Sequence, residues 1–287
     1  MKKYAALAGL LTALFIIPSS WAQEISSLTG QSMNGSTGLF SIPSGHIGWE
    51  KSGNFGMDFG YRIIMNQGGA AQIPAITMSL FKWVEVSAAM DFQPKIKIAD
   101  DKDDGNNDLL FGIKLRMPTN ISETNNPAIA LGTNIQVINV NNQDYHYNVF
   151  QPYVAISYAG TFFSMRAETT VVFGKTFFNG YPKNNYDFDF GMGFDLILFP
   201  ETFQSAVHWV TDFANFSYSD NSWPNALVYR SDAATYRGVV NTGIRVDLAS
   251  FPSLSKIKLI VDLIFNDVFD GENRSFTVGA IFGFSVK

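Results

Sequence analysis

The chain of 287 residues is 46% hydrophobic, 15% aromatic and 16% charged, with a formal net charge of −5 and no cysteine. Such apolarity excludes disorder, which needs low hydrophobicity and dense charge, and the charged fraction lies well below the quarter usual in soluble domains. Without cysteine there is no disulfide framework, thiolate metal site or lipid-accepting thiol, and the acidic balance leaves no electrostatic case for nucleic acid as a partner.

Residues 1–22 read as a secretory signal peptide. Met1-Lys2-Lys3 is a short positive end, Ala5 to Ile17 is an apolar core shorter than the ~20 residues of a spanning helix, and Ser20 and Ala22 are the small residues of a cleavage site. Its removal takes away two lysines and no acid, so the net charge goes from −5 to −7. Residues 23–53 follow as an irregular N-terminal segment, rich in Gly, Ser and Pro over 29–53. It either lies beneath a barrel on the periplasmic side or inserts into its lumen, because unpaired backbone is tolerated only away from hydrocarbon.

From residue 54 to 287 the dominant pattern is strict alternation, the mark of strands with two different faces. Phe55, Met57, Phe59, Tyr61, Ile63 and Met65 fall on one side, and Asn54, Gly56, Asp58, Gly60 and Arg62 on the other. Val84 to Ile98 and Tyr186 to Leu198 repeat the theme. The pattern predicts strands over 54–65, 73–80, 84–98, 108–117, 128–138, 147–158, 162–176, 186–198, 203–218, 236–248, 256–266 and 275–287. Most reach the ~9–11 residues needed to cross a bilayer at a tilt. One face is Phe, Leu, Ile, Val and Met, and the other Gly, Ala, Ser, Asn and paired charges, which suits lipid outside and a wet or hydrogen-bonded lumen inside. Aromatics crowd the strand ends, as in Phe81-Lys82-Trp83, Phe162-Phe163, Phe177-Phe178 and Phe199, where a headgroup girdle belongs.

The expected fold is therefore all-β: a transmembrane antiparallel up-and-down β-barrel of about 12 strands, within a range of about 10–14. The odd connections are longer than the even ones, which places the odd ones outside and both termini in the periplasm, in the outer membrane of a diderm bacterium.

The last strand resembles the C-terminal assembly signal of Gram-negative outer-membrane proteins. Thr277, Gly279, Phe282 and Phe284 occupy the polar, glycine and alternating hydrophobic places, with Ser285-Val286-Lys287 as an extension. The resemblance implies the barrel-assembly machinery as a partner, beside outer-membrane lipid and lipopolysaccharide. Near the start, Gly38-Leu39-Phe40-Ser41-Ile42-Pro43-Ser44-Gly45, then Gly53-Asn54-Phe55 and Gly60-Tyr61, is similar to the opening of YjbH-type barrels associated with exopolysaccharide. Ser44-Gly45 stands where those have Thr-Ala.

Candidates for chemistry are few. His208 and Asp212 share the polar face of one strand, ~13 Å apart, too far for direct pairing. His46 and His146 fall in predicted turns or loops. The acidic run Asp100-Asp101-Lys102-Asp103-Asp104-Gly105 departs from the EF-hand pattern, with Lys102 at the third position and Phe111 at the twelfth. No catalytic residue, metal or cofactor is expected. The remaining constellation is the inward charges: Asp58, Arg62, Lys114, Arg116, Arg166, Glu168, Asp187, Asp189, Asp195, Arg245, Asp247, Lys258 and Asp262. They either line an aqueous pore and set solute preference, or pair across strands inside a filled barrel. The leading expectation is a passive, porin-like channel for small polar solutes or oligosaccharides. The alternative is a non-conducting envelope barrel for structure, adhesion or exopolysaccharide export.

Overall fold

The computed structural model describes residues 30–51, 55–66, 69–92, 107–118, 127–140, 145–162, 165–179, 188–216, 238–251, 258–269 and 274–286. The expected signal peptide, the acidic run at 100–105 and Asp187 lie outside them.

The described residues form β1 (Phe55–Asn66), β2 (Gly69–Leu80), β3 (Val84–Phe92), β4 (Asn107–Arg116), β5 (Ala128–Val140), β6 (Tyr145–Phe162) and β7 (Met165–Gly174). They continue with β8 (Phe177–Asn179), β9 (Asp189–Ile197), β10 (Val207–Ala214), β11 (Val239–Asp247), β12 (Lys258–Asn266) and β13 (Ser275–Val286). Every pairing is antiparallel. The chain runs as a meander, and the ring closes where β1 meets β13, from Phe55 opposite Val286 to Met65 opposite Phe276. Twelve strands make the barrel; the short β8 only flanks β6.

Burial follows the alternation, inside out relative to a soluble protein. Phe59 and Phe111 are each 44% exposed on the outer face, while Arg62 (0%) and Lys114 (1%) are buried within. A closed ring leaves no backbone edge, and an outer wall of Phe, Leu, Ile and Val needs hydrocarbon around it, so this is a transmembrane β-barrel. No helix among the described residues is long and apolar enough to cross a membrane. Phe81, Trp83, Phe162, Phe199 and Phe203 form an exposed aromatic rim at the end carrying the shorter connections. Phe81 and Phe199 hold left-handed backbone (φ 51° and 44°) while presenting their rings outward.

Local structure departs from the expected strands in several places. The strand expected from residue 203 begins at Val207. Pro200–Phe203 instead form a one-turn helix, α1, because proline at a first helical position lacks only a donor that would be orphaned anyway. β2 starts at Gly69 and runs through Pro74, which stands opposite Tyr61. His146, expected in a loop, lies within β6. The inward rows also are not uniformly polar. In the half nearer the longer connections, Ile64, Ile73, Leu110, Val149, Val172 and Ile264 turn inward and form an apolar cluster.

Candidate functional site

That cluster is completed by Met33, Leu39, Phe40 and Ile42 of the N-terminal segment. Gly30 to Gly45 are all buried, and the segment crosses the barrel interior rather than lying beneath it. It folds on itself through antiparallel bridges between Gln31 and Thr37 and between Gly38 and Pro43. Glycines let it approach the wall. A Cβ at Gly191 would stand 2.6 Å from Ile42 Cγ2, and one at Gly45 would collide with the Ala128 carbonyl.

The inward polar side chains hold this segment by its backbone, which supplies the partners that irregular buried chain requires. On β1, the Arg62 guanidinium donates to the carbonyls of Gln31 and Ser32. On β3, Glu85 accepts from the Thr37 amide (2.8 Å), the Thr37 hydroxyl (2.6 Å) and the Gly48 amide (3.1 Å). On β4, Lys114 donates to the Thr37 carbonyl (2.9 Å) and meets Glu85 at 2.9 Å. Asn134 of β5 accepts from Asn34, and Ser157 of β6 from the Gly45 amide (3.0 Å). Asp212 of β10 accepts from the amides of Phe40 and Ser41, and Arg245 of β11 donates to the Gly38 carbonyl (3.2 Å).

The charges also pair with one another. Lys258 meets Asp58 at 2.7 Å, and Trp49 donates to the other oxygen of the same carboxylate. Arg245 grips Asp262 through two bonds (2.8 and 3.2 Å), and Arg62 approaches Asp262 at 3.8 Å. Asp189 accepts from Gln151 and Thr176. Asp247 caps the following turn by accepting from the Ala249 amide. Arg166 is partly exposed on β7. Among the described site residues expected from sequence, Asp58, Arg62, Lys114, Arg116, Glu168, Asp189, Asp195, Arg245, Asp247, Lys258 and Asp262 are all buried inward.

His208 contacts Asp195 across to β9 (Nδ1, 2.5 Å) rather than Asp212, and its Nε2 lies 2.9 Å from the Ser205 carbonyl. With a carboxylate on one nitrogen and a carbonyl on the other, the ring has no free nitrogen to serve as a base. Among the described residues no group of three His, Cys, Asp or Glu is placed to hold a metal. Thr277 and Gly279 face the interior, whereas Phe282 and Phe284 face outward.

At the barrel end where the shorter connections lie, the segment is seated by a four-residue charge cluster. His46 Nδ1 is 2.7 Å from Glu50 and Nε2 is 3.3 Å from Glu168 of β7, while Arg116 of β4 pairs with Glu50. Burial disfavours the imidazolium, but Glu168 and then Glu50 outweigh it and raise the His46 pKa to about 9. Burial likewise disfavours the Glu50 carboxylate, yet His46, Arg116 and the Ile47 amide lower its pKa to about 2. Sequence reasoning missed His46 and Glu50 as wall contacts, since the segment has no period. It also passed over Glu85, although alternation with Val84 and Val86 already places it inward.

No protein-family model matches the chain, and no curated protein matches it. Solved structures similar to it include the NanC porin, at 10% identity and TM-score 0.49 over 80% of this chain and 100% of that one. A KdgM porin in complex with disordered oligogalacturonate is 10% identical, with TM-score 0.48 over 80% and 99%. The COG4313 outer membrane channel from Pseudomonas putida F1 is 11% identical, with TM-score 0.45 over 85% and 96%. At these identities and TM-scores the likenesses carry no assignment of substrate or activity.

Proposed function

We propose that the chain is an outer-membrane, porin-like barrel, a passive pathway for small polar solutes or oligosaccharides, which its own N-terminal segment from Gly30 to Lys51 holds closed. The observation that carries this reading is the mode of attachment. Glu85, Lys114, Asp212 and Arg245 bind backbone amides and carbonyls of the segment, so the wall offers both donors and acceptors that water or a polar solute satisfies equally once the segment leaves. In this reading the inward charges, from Asp58 and Arg62 round to Lys258 and Asp262, line the opened path. Both termini lie in the periplasm, Thr277, Gly279, Phe282 and Phe284 present the assembly signal to the barrel-assembly machinery, the aromatic rim meets lipid on the periplasmic side, and lipopolysaccharide surrounds the opposite end of the barrel. No catalytic step, metal or cofactor belongs to it.

A second reading has its own support. The apolar cluster that Leu39, Phe40 and Ile42 share with Val149, Val172 and Ile264 resembles a permanent core, which fits a non-conducting barrel for envelope structure, adhesion or exopolysaccharide export. Planar-bilayer recording separates the two. The protein with residues 23–50 replaced by a flexible Gly/Ser linker is expected to give sustained stepwise currents where the natural chain is mostly closed. A correctly folded, heat-modifiable linker variant that stays silent would overturn the channel and leave the second reading.

A further inference from the structure

We propose that His46 is a pH-operated latch: bridging Glu50 on its own segment and Glu168 on the wall, it seats the luminal segment in acid and lets it leave in alkali. This rests on the closed-barrel reading above. The latch is where the segment meets the mouth of the barrel, and it links one movable group to one fixed group. His46 is 14% exposed at its side chain, whereas Glu50 (1%) and Glu168 (5%) are nearly covered, so the imidazole is the part of the cluster that water reaches.

The groups around it come from each packed element. Glu50 belongs to the segment itself, and Arg116 from β4 neutralises it. Glu168 comes from β7, where Arg166 sits two residues nearer the mouth on the same face, and Asp195 of β9 stands opposite Glu168 in register, paired with His208. Lys114, one inward position deeper on β4, is paired with Glu85 of β3. β6 contributes the uncharged Ser157 hydroxyl beneath Gly45. With the imidazolium present, His46 is a cation held between two buried carboxylates, Glu50 and Glu168. Without its proton it no longer offsets them, and the bridge to the wall is lost.

The direction follows from linkage. Seated, His46 keeps its proton to about pH 9, against 6.5 for the ordinary side chain. The stabilisation of the seat is therefore complete below pH 6.5 and is lost as pH rises through about 9. Across that interval the released-to-seated ratio rises by up to tenfold per pH unit, about 300-fold in all. Glu50, with its pKa near 2, stays charged throughout, so it does not drive the change.

The natural chain has no cysteine, so Ser44→Cys introduces a single thiol at a position 0% exposed in the seated segment. Its modification by a charged methanethiosulfonate is followed in proteoliposomes from pH 6 to pH 9.5 and normalised for thiolate ionisation. The normalised rate is expected to climb on the order of a hundredfold. Adding His46→Gln should abolish that climb, and Glu168→Gln should move its midpoint to lower pH, a shift that a merely structural contact would not produce. A flat normalised rate, or the same climb with His46→Gln, would overturn the latch. If labelling follows pH while the bilayer stays silent, the latch stands and the channel reading falls. If the linker variant conducts but labelling is flat, the channel reading stands and the latch falls.

Discussion

Glu85 holds Thr37 by two bonds at once, its carboxylate taking the backbone amide on one oxygen (2.8 Å) and the hydroxyl on the other (2.6 Å). The same carboxylate neutralises buried Lys114. Glu85→Ala therefore strands a cation and an amide together. It should lower stability by ~3 kcal/mol in denaturant titrations of the micellar protein, with Glu85→Gln costing less because it keeps an acceptor. An unchanged midpoint would mean that the segment is not held there.

Gly191 offers a way to unseat the segment without touching a charge. The side chain of Gly191→Val would occupy the space of Ile42 Cγ2, at a cost of ~1–3 kcal/mol for overpacking. Because each 1.4 kcal/mol is about tenfold in an equilibrium, labelling at Ser44→Cys should rise roughly ten- to a hundredfold at neutral pH. The gel mobility of the folded barrel should be retained.

On β4 adjacent positions face different solvents, so one substitution has opposite meanings. Phe111→Arg puts a charge into lipid and should cost ~2–4 kcal/mol of membrane-folding stability near the midplane. Gly112→Ser, inward, would press its Cβ on the Ser87 hydroxyl (2.5 Å), and should cost less because that hydroxyl can rotate away and no charge enters lipid. Urea titration in lipid vesicles checks the pair, and equal costs would contradict the assignment of faces.

Trp49 reports on the seat by its own fluorescence. Its indole donates to Asp58 (2.9 Å) and lies 5.6 Å from the Lys258 ammonium. As pH passes 6.5 toward 9 and the stabilisation from His46 is withdrawn, Trp49 should gain exposure to aqueous quenchers. Trp83 and Trp209, outward on the barrel, should not, and Trp49→Phe should remove the pH-dependent component.

How much of this is legible in the residue order follows from where each feature gets its information. Phe55 to Met65 alternate without interruption, so both faces of β1 and its antiparallel place could be read directly, and the same parity places Glu85, Lys114 and Asp195 inside. Partners could not be read, because they depend on register between strands. His208 pairs diagonally with Asp195 because Val210, not His208, stands opposite it. The segment from Gly30 to Lys51 has no period at all. Its course is set by docking onto walls built from residues up to about two hundred positions away, as Ser41 with Asn241 shows. The dry layer was hidden because Ile64 and Leu110 are each a single apolar residue in an otherwise polar inward row, and Ile73 is flanked only by the small Ala71 and Ala75.

Ser41 and Asn241 also provide the most direct test of closure, since the Asn241 amide donates to the Ser41 hydroxyl at 2.6 Å across the lumen. A Ser41→Cys, Asn241→Cys pair in the otherwise cysteine-free chain would tie the segment to β11. Single-channel recording at pH 9.5 should then find the oxidised protein silent and stepwise current restored by reductant. Full conductance with the tether intact would contradict the claim that this segment closes the barrel.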